Sequence, residues 1–426
     1  MKEGFLHYLW KFKKFDVLNL VTTDGQKVEI LNCGTHNTQN SGPDFFNAKL
    51  QIGNQTWAGN VEIHLKSSDW YAHQHQKDLA YDNVILHVVW EDDVEVFRKD
   101  NTVIATLKLS DFASAEALKN YRKLLERQDN KWINCEKDLK SVSSFTVENW
   151  IERLYIERLQ EKSIAIENAL KKSKNDWEAV CFQLLAKNFG LNINGVPFFK
   201  MASIIPFSII RKTNKVEILE ALFYGLLNMI PKDDGDVYTI KLRQDFDYLQ
   251  KKYLLDFHFE QVEYFRLRPP NFPTIRLSQL ATLYANTPQI FMQLMEARSR
   301  GEIHKLLKVE VSNYWKTHFT FGKESKRSTK VLSSSFIDLL IINTIVPLKF
   351  HYKKLKGDLD LEDCLSLLKE LPKEQNSIIQ SFNVIRPKIA ISALESQALL
   401  HLKPNYCDKN RCLQCEIGLS LLKKKV

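Results

Sequence analysis

Acidic, imidazole and amine side chains crowd the stretch CGTHNTQNSGPDFFNAKLQIGNQTWAGNVEIHLKSSDWYAHQHQKDLAYDNVILHVVW (33–90), which holds five of the eleven histidines. In an extended chain alternate residues share a face. Glu62, His64 and Lys66 therefore project to one side, and Val61, Ile63 and Leu65 to the other. Three polar groups in register on an otherwise apolar strand are costly to bury unless something pairs them. A divalent cation would do so. Asp44 precedes an earlier strand, and Gly53–Asn54 is a two-residue hairpin turn that folds this strand back and brings Asp44 near Glu62. Two carboxylates and a strand lysine are the working set of a hydrolytic phosphodiester site. The carboxylates Asp44 and Glu62 hold Mg²⁺ or Mn²⁺. Lys66 positions the attacking water and steadies the developing negative charge.

A second set lies just downstream. His73, His75 and Asp78, with His64 and His87 as further donors, are imidazoles spaced by one residue beside a carboxylate, a combination that suits zinc. The bland reading of His87, inside VILHVVW, is a hydrogen-bonded core histidine. Trp57, Trp70 and Trp90 read as core and rim packing, and Asp69 and Asp82 as turn residues.

The sharpest local motif is at the other end of the chain, where Cys407-x4-Cys412-x2-Cys415 places three thiols around a turn-prone Asp408-Lys409-Asn410. Closely spaced thiolates can meet one metal ion. Cys135, Cys33 and His401 are the candidates for a fourth ligand; zinc is the expected metal, with an iron–sulfur cluster as the alternative. Arg266, Arg268 and Arg276 surround Pro269, Pro270 and Pro273, a rigid extended segment whose arginines could grip phosphates.

The elements that position these groups follow from periodicity. Residues 1–20 read as a short amphipathic helix with Phe5, Tyr8, Leu9, Phe12 and Phe15 on one face. Short β-branched and aromatic runs follow at 28–31, 45–52, 56–65, 83–90 and 102–109, with Glu91–Asp92–Asp93 ending one of them. They imply a mixed or antiparallel sheet. Residues 113–130 form a helix, and past Ser143 nearly everything has helical period, with Thr146 as an N-cap. Breaks are expected at Asn192–Pro197, Pro231–Asp236, Arg268–Pro273 and Gly322–Thr329. The fold class is therefore α+β: a β-rich module over 1–140 with flanking helices, then a larger, mostly helical module over 141–426 that carries the cysteine cluster.

Composition agrees with a folded chain of two or three domains: 426 residues, 44% hydrophobic and 26% charged. No window has the ~20 uncharged apolar residues that span a bilayer; Phe336 to Phe350, broken by Asp338, Asn343 and Lys349, reads as a buried helix. The N-terminus lacks a small-residue cleavage site, and the scattered, odd-numbered cysteines are not a secreted disulfide framework, so a cytoplasmic protein without a membrane partner is expected. Residues 1–112 hold 11 Lys/Arg against 15 Asp/Glu, and the remainder 49 against 36. An acidic module followed by a basic remainder suits a cation site beside a polyanion-binding surface, although lysine-rich helical faces are common without one.

Gly42–Pro43–Asp44, a hairpin, then Glu62-Ile63-His64-Leu65-Lys66 resembles the PD-(D/E)xK nuclease signature, whose core is a β-hairpin bearing these groups. That family usually has its lysine two residues after the glutamate; here His64 holds that position and Lys66 follows on the same face. His36, eight residues before Asp44, resembles the upstream histidine ligand of the RecB-like branch. The Q-x-x-x-Y motif of that branch has its nearest counterpart in Gln279 to Tyr284, one residue longer. Some RecB-like nucleases also resemble this chain in having one distant cysteine and three near the C-terminus, there as iron–sulfur ligands. Nearly the whole chain resembles a bacterial family, mainly from Bacteroidetes, carried as a domain of unknown function, through GPDFFNAKL, GNVEIHLKSSDWYAHQHQKD, RPPNFPTIRLSQLA and YCDKNRCLQCEIG. The expectation from all of this is a metal-dependent nuclease or phosphodiesterase acting on nucleic acid, with Asp44 and Glu62 as cation ligands, His36 and His64 as auxiliary ligands, and Lys66 beside them. The alternatives are a zinc hydrolase built on His73, His75 and Asp78, and a non-catalytic nucleic-acid or protein interaction module with structural metals.

Overall fold

The hairpin signal at Gly53–Asn54 is the seed of the sheet. In the structure, a computed structural model that describes residues 1–38, 40–125, 131–232, 235–255, 261–358 and 360–423, strand β3 (Phe45–Ile52) turns through Gly53 at φ +58° into β4 (Gln55–Lys66), with Ile52 opposite Gln55. Around this hairpin β1 (Val28–Asn32) and β2 (Thr35–His36) pair antiparallel to β3, β5 (Val84–Glu91) runs parallel to β4, and β6 (Thr106–Lys108) runs parallel to β5. The order is β1-β3-β4-β5-β6, a mixed sheet. The run expected over 102–109 is shorter than its sequence pattern: only Thr106–Lys108 pairs with the sheet.

Helix α1 (Glu3–Lys11) packs on β4 and buries Phe5, Leu6, Tyr8, Leu9 and Trp10 against Val61, Ile63, Leu86 and Val88. The helix is shorter than the 1–20 periodicity predicts; Phe15 is still buried, but in a loop bridging to Ala113. Helix α2 (Asp69–Ala72) follows β4, and α3 (Ala115–Leu125) joins the same core. The predicted helical residues 126–130 lie outside the described residues. β4 crosses β5 closely at Gly59, where a Cβ would meet Ile85 Cγ2 at 2.5 Å and the Asn83 carbonyl at 2.6 Å. No other residue fits there without displacing backbone.

Backbone contacts group the chain into two units, Met1–Trp150 with His401–Val426, and Ile151–Leu400. The cysteine-bearing terminal segment, which the sequence pattern attached to the helical module, thus packs with the first unit: Cys412, Leu413, Leu419 and Leu422 join its core. The reason is the apolar face of the last helix (Glu416–Lys423), which packs against α3.

The second unit is helical apart from a small hairpin, His318–Thr320 with Lys323–Glu324. Its helix Pro273–Asn286 is nearly all buried, with Val216–Leu226 packed against it. The expected break at Asn192–Pro197 is absent: helix Leu191–Ile204 runs through Pro197, and the chain turns earlier, at Gly190–Leu191, where Leu191 has φ +55°. Burial of Pro197, Phe198, Met201 and Ala202 offsets the hydrogen bond that the proline removes. Ser334–Leu355 is the expected buried helix, with a π-helical turn at Ile341–Ile345. The helix that contains Thr146 starts at Ser144, and Ser143 Oγ, rather than Thr146, accepts an amide of its first turn. No helix among the described residues is long and apolar enough to cross a membrane.

Candidate functional site

Asp44 stands just ahead of β3 and Glu62 on the facing stretch of β4, and the hairpin locks them together. The Asp44 amide donates to Glu62 Oε2 at 3.1 Å, and the Ile63 amide donates to Asp44 Oδ2 at 3.0 Å. The sequence pattern predicts that the two carboxylates lie near each other; in the structure each accepts a backbone amide from the other's stretch of chain. A bulge between Phe45 and Ala48, with Asn47 at φ +56°, bends β3 at this level.

Imidazoles close around Glu62. His64 and His75 each place Nε2 3.4 Å from Glu62 Oε1. His64, His73 and His75 are the set whose donor atoms all lie within 4.8 Å of one another among the described residues. His73 and His75 reach this point because β4 runs into α2 and a 3-10 turn, His75–Lys77, entered through Gln74 at φ +60°. Behind them His87, fully buried on β5, places Nε2 2.8 Å from His64 Nδ1. It serves as the hydrogen-bonded core histidine of the bland reading, and its partner is a site residue.

Helix α1 adds two groups that the sequence pattern did not single out. His7 Nε2 is 3.2 Å from Asp44 Oδ2, and Glu3, one turn before His7, lies in the field of Asp44 and His7. Their signal was available: an i, i+4 Glu–His pair on an otherwise apolar helix.

Burial dominates the electrostatics. It lifts Glu62 well above the usual carboxylate range, with the charge of Asp44 adding to the effect, and it raises Glu3 in the same manner. Burial, reinforced by the neighbouring imidazoles, lowers His64 to about 2 and His87 to about 3; His75 is lowered by burial as well. These rings are neutral at ordinary pH, the form that binds a cation. His7 goes the other way: burial opposes its charge, but Asp44, 3.2 Å away, with the charges of Glu3 and Glu62, outweighs burial and raises it.

Other residues expected at this site stand elsewhere. Lys66, at the end of β4, turns to Glu91 of the adjacent strand, 3.3 Å away, and is half exposed; past the last buried residue the strand face opens to solvent. Asp78 is an exposed cap whose carboxylate accepts the Ala80 amide, so it does not join His73 and His75. His36 stacks on Phe45 at 4.8 Å and meets the His7 ring edge-on, one side chain removed from the carboxylates. Asp69 accepts the Lys66 amide, as a turn residue does. A cavity of about 630 Å³ opens in the same unit, lined by Trp57, Ile85, Glu95 and Arg98 among others, and none of the clustered histidines or carboxylates lines it.

In the second unit Arg276 is buried, donates to Gln279 and Asn271 and lies 3.5 Å over the Phe336 ring, which removes it from any phosphate-binding role. Arg266 and Arg268 are exposed. At the C-terminal end Cys135, Cys407, Cys412 and Cys415 line one small cavity, while Cys33 is held in the α1–sheet core and His401 pairs with Asn405.

The molecule is thus an α+β protein whose mixed sheet carries, beside its central hairpin, a half-buried carboxylate–imidazole cluster. It belongs to the family described as protein of unknown function (DUF2851), which matches residues 3–377. No curated protein and no solved structure matches the chain.

Proposed function

We propose that this protein is a metal-dependent hydrolase of phosphodiester bonds in nucleic acid, with its cation held by Glu62, His64, His73 and His75 and with Asp44 beside them. One observation carries the reading: three imidazoles converge beside Glu62, which Asp44 braces, where His75 Nε2 is buried without a hydrogen-bond partner. An orphaned ring nitrogen 3.4 Å from a buried carboxylate costs free energy unless a cation joins them. Imidazole-rich sets favour Mn²⁺ or Zn²⁺ over Mg²⁺.

A bound divalent cation supplies an activated water and offsets charge on the phosphate. The chain's own groups do the rest. Asp44 and Glu62 fix each other through backbone amides, so the acidic edge is rigid. His87 holds His64 by its Nδ1 and leaves Nε2 directed at Glu62. The cationic partner that Lys66 was expected to supply is His7, whose Nε2–H beside Asp44 is the proton available to a leaving oxygen. A polyanionic substrate is supported by the basic remainder of the chain and by the exposed Arg266 and Arg268.

The test is cleavage of single- and double-stranded DNA and RNA at low salt with Mn²⁺, Mg²⁺ or Zn²⁺, and its loss in Glu62→Ala with the fold intact. Protein that leaves every such substrate uncut with all three ions sinks the proposal. The three-imidazole set also favours a second reading, a zinc hydrolase acting on another substrate. That reading predicts one equivalent of zinc at the imidazoles, lost in His73→Ala/His75→Ala, without nucleic-acid cleavage.

A further inference from the structure

The second cluster of metal-ligating side chains lies in the first unit, away from the hairpin. Its parts come from two distant stretches of chain. Cys135 follows Asn134 in the loop after α3. Cys407 closes the π-helical turn Lys403–Cys407, Cys412 opens a 3-10 turn, and Cys415 precedes the last helix. Together they surround a cavity of about 20 Å³, with Tyr406 and Gly418 completing the wall. A water needs roughly 10–15 Å³ by this measure, so the space admits one small ion and little else. Their sulfurs stand wider apart than the imidazole donors of the hairpin site.

The backbone is built for this convergence. Asn410, at φ +53°, reverses the chain, so that the Arg411 amide reaches the Tyr406 carbonyl at 2.8 Å and Cys412 returns toward Cys407. The last helix then presses on the turn at Gly418, where a Cβ would stand 2.2 Å from the Cys412 carbonyl. Donors are aimed at sulfur as well: Asn134 Nδ2 lies 3.3 Å from Cys412 Sγ, and the Ile417 and Gly418 amides donate to Cys415. Amide donors stabilise thiolates rather than thiols. Burial raises all four thiols, and the neighbouring thiols add to this at Cys135, Cys407 and Cys415.

We propose that Cys135, Cys407, Cys412 and Cys415 bind one zinc ion as a closed tetrathiolate site that ties the C-terminal segment to the first unit. The inference does not rest on the hydrolase reading. Zinc has no open coordination position here, so the role is structural.

The experiment uses the full chain purified without added metal. Elemental analysis should give about one zinc per chain at this site, retained in His73→Ala/His75→Ala and in Cys33→Ser, and lost in Cys412→Ser/Cys415→Ser. Because misfolding of that last variant would also release the metal, wild-type protein is exchanged with Co²⁺ as well. Intense sulfur-to-cobalt charge-transfer absorption supports the site. Four freely titrating thiols with neither zinc nor a cobalt–sulfur band overturn it, and iron with acid-labile sulfide overturns the single-ion assignment.

Discussion

Replacing His87 by leucine probes the site without touching a proposed ligand. His87 is fully buried, and its Nε2 lies 2.8 Å from His64 Nδ1. For His64 Nε2 to face a cation, its Nδ1 must carry the proton and donate to His87, so His87 fixes both ring orientation and tautomer. His87→Leu keeps most of the volume and leaves His64 Nδ1 buried without its partner. An orphaned buried donor costs about 1–3 kcal/mol, reduced here because the same change removes His87 Nδ1, itself buried without a partner. The net destabilisation should be about 1–2 kcal/mol. Loss of an orienting partner behind a metal-ligating histidine typically weakens affinity by about 10–100-fold, roughly 1.4–2.8 kcal/mol. Isothermal titration with Mn²⁺ and Zn²⁺, beside denaturant unfolding in excess chelator, separates the two effects. His87→Gln, which can still pair with Nδ1, should recover part of the affinity. Wild-type affinity in His87→Leu, with the stability loss present, would show that His64 is not a ligand and that the cluster is structural.

Lys66→Ala should leave cleavage within about threefold of wild type and stability within about 1 kcal/mol, since Lys66 is engaged in an exposed ion pair; a loss as deep as that of Glu62→Ala would reinstate it as catalytic. Glu220 of the second unit, fully buried and accepting from Tyr238 at 2.9 Å, is raised by burial from 4.5 to about 7. Its folded value lies above its unfolded one, so stability is full below pH 4.5 and falls as pH rises toward 7, by about 3 kcal/mol. Glu220→Gln should flatten that slope in urea midpoints taken between pH 4 and 8, and an unchanged slope refutes the assignment. Gly59→Ala forces a methyl into Ile85 and the Asn83 carbonyl and should cost about 1–3 kcal/mol by overpacking; a wild-type thermal midpoint would contradict the close strand crossing. Arg276→Ala should destabilise the second unit without altering nucleic-acid affinity, whereas Arg268→Ala should lower affinity and its salt slope while leaving stability alone; gel-shift titrations at two salt concentrations tell them apart.

The hairpin is legible in the residues alone. Alternation over 45–52 and 56–65 with Gly53–Asn54 between them defines β3, β4 and their turn, but that regular register sets Asp44 level with Ile63; the bulge between Phe45 and Ala48, which pairs Phe45 with Val61, is what brings Asp44 level with Glu62. Helical period likewise marked the second unit and the buried run around Ile341. Tertiary structure alone decided which polar groups join the carboxylates. Strand alternation says which face Lys66 shares with Glu62 but not that this face becomes solvent-exposed one residue past the buried stretch, where Glu91 takes the lysine. Spacing grouped His73 and His75 with Asp78, whereas a left-handed Gln74 turns the two rings back onto β4 and leaves the aspartate as a cap. Glu3, His7 and the fourth cysteine lie far along the chain from their partners, and local pattern carries no information about such pairings. Only packing, α1 on β4 and the last helix on α3, brings them into reach.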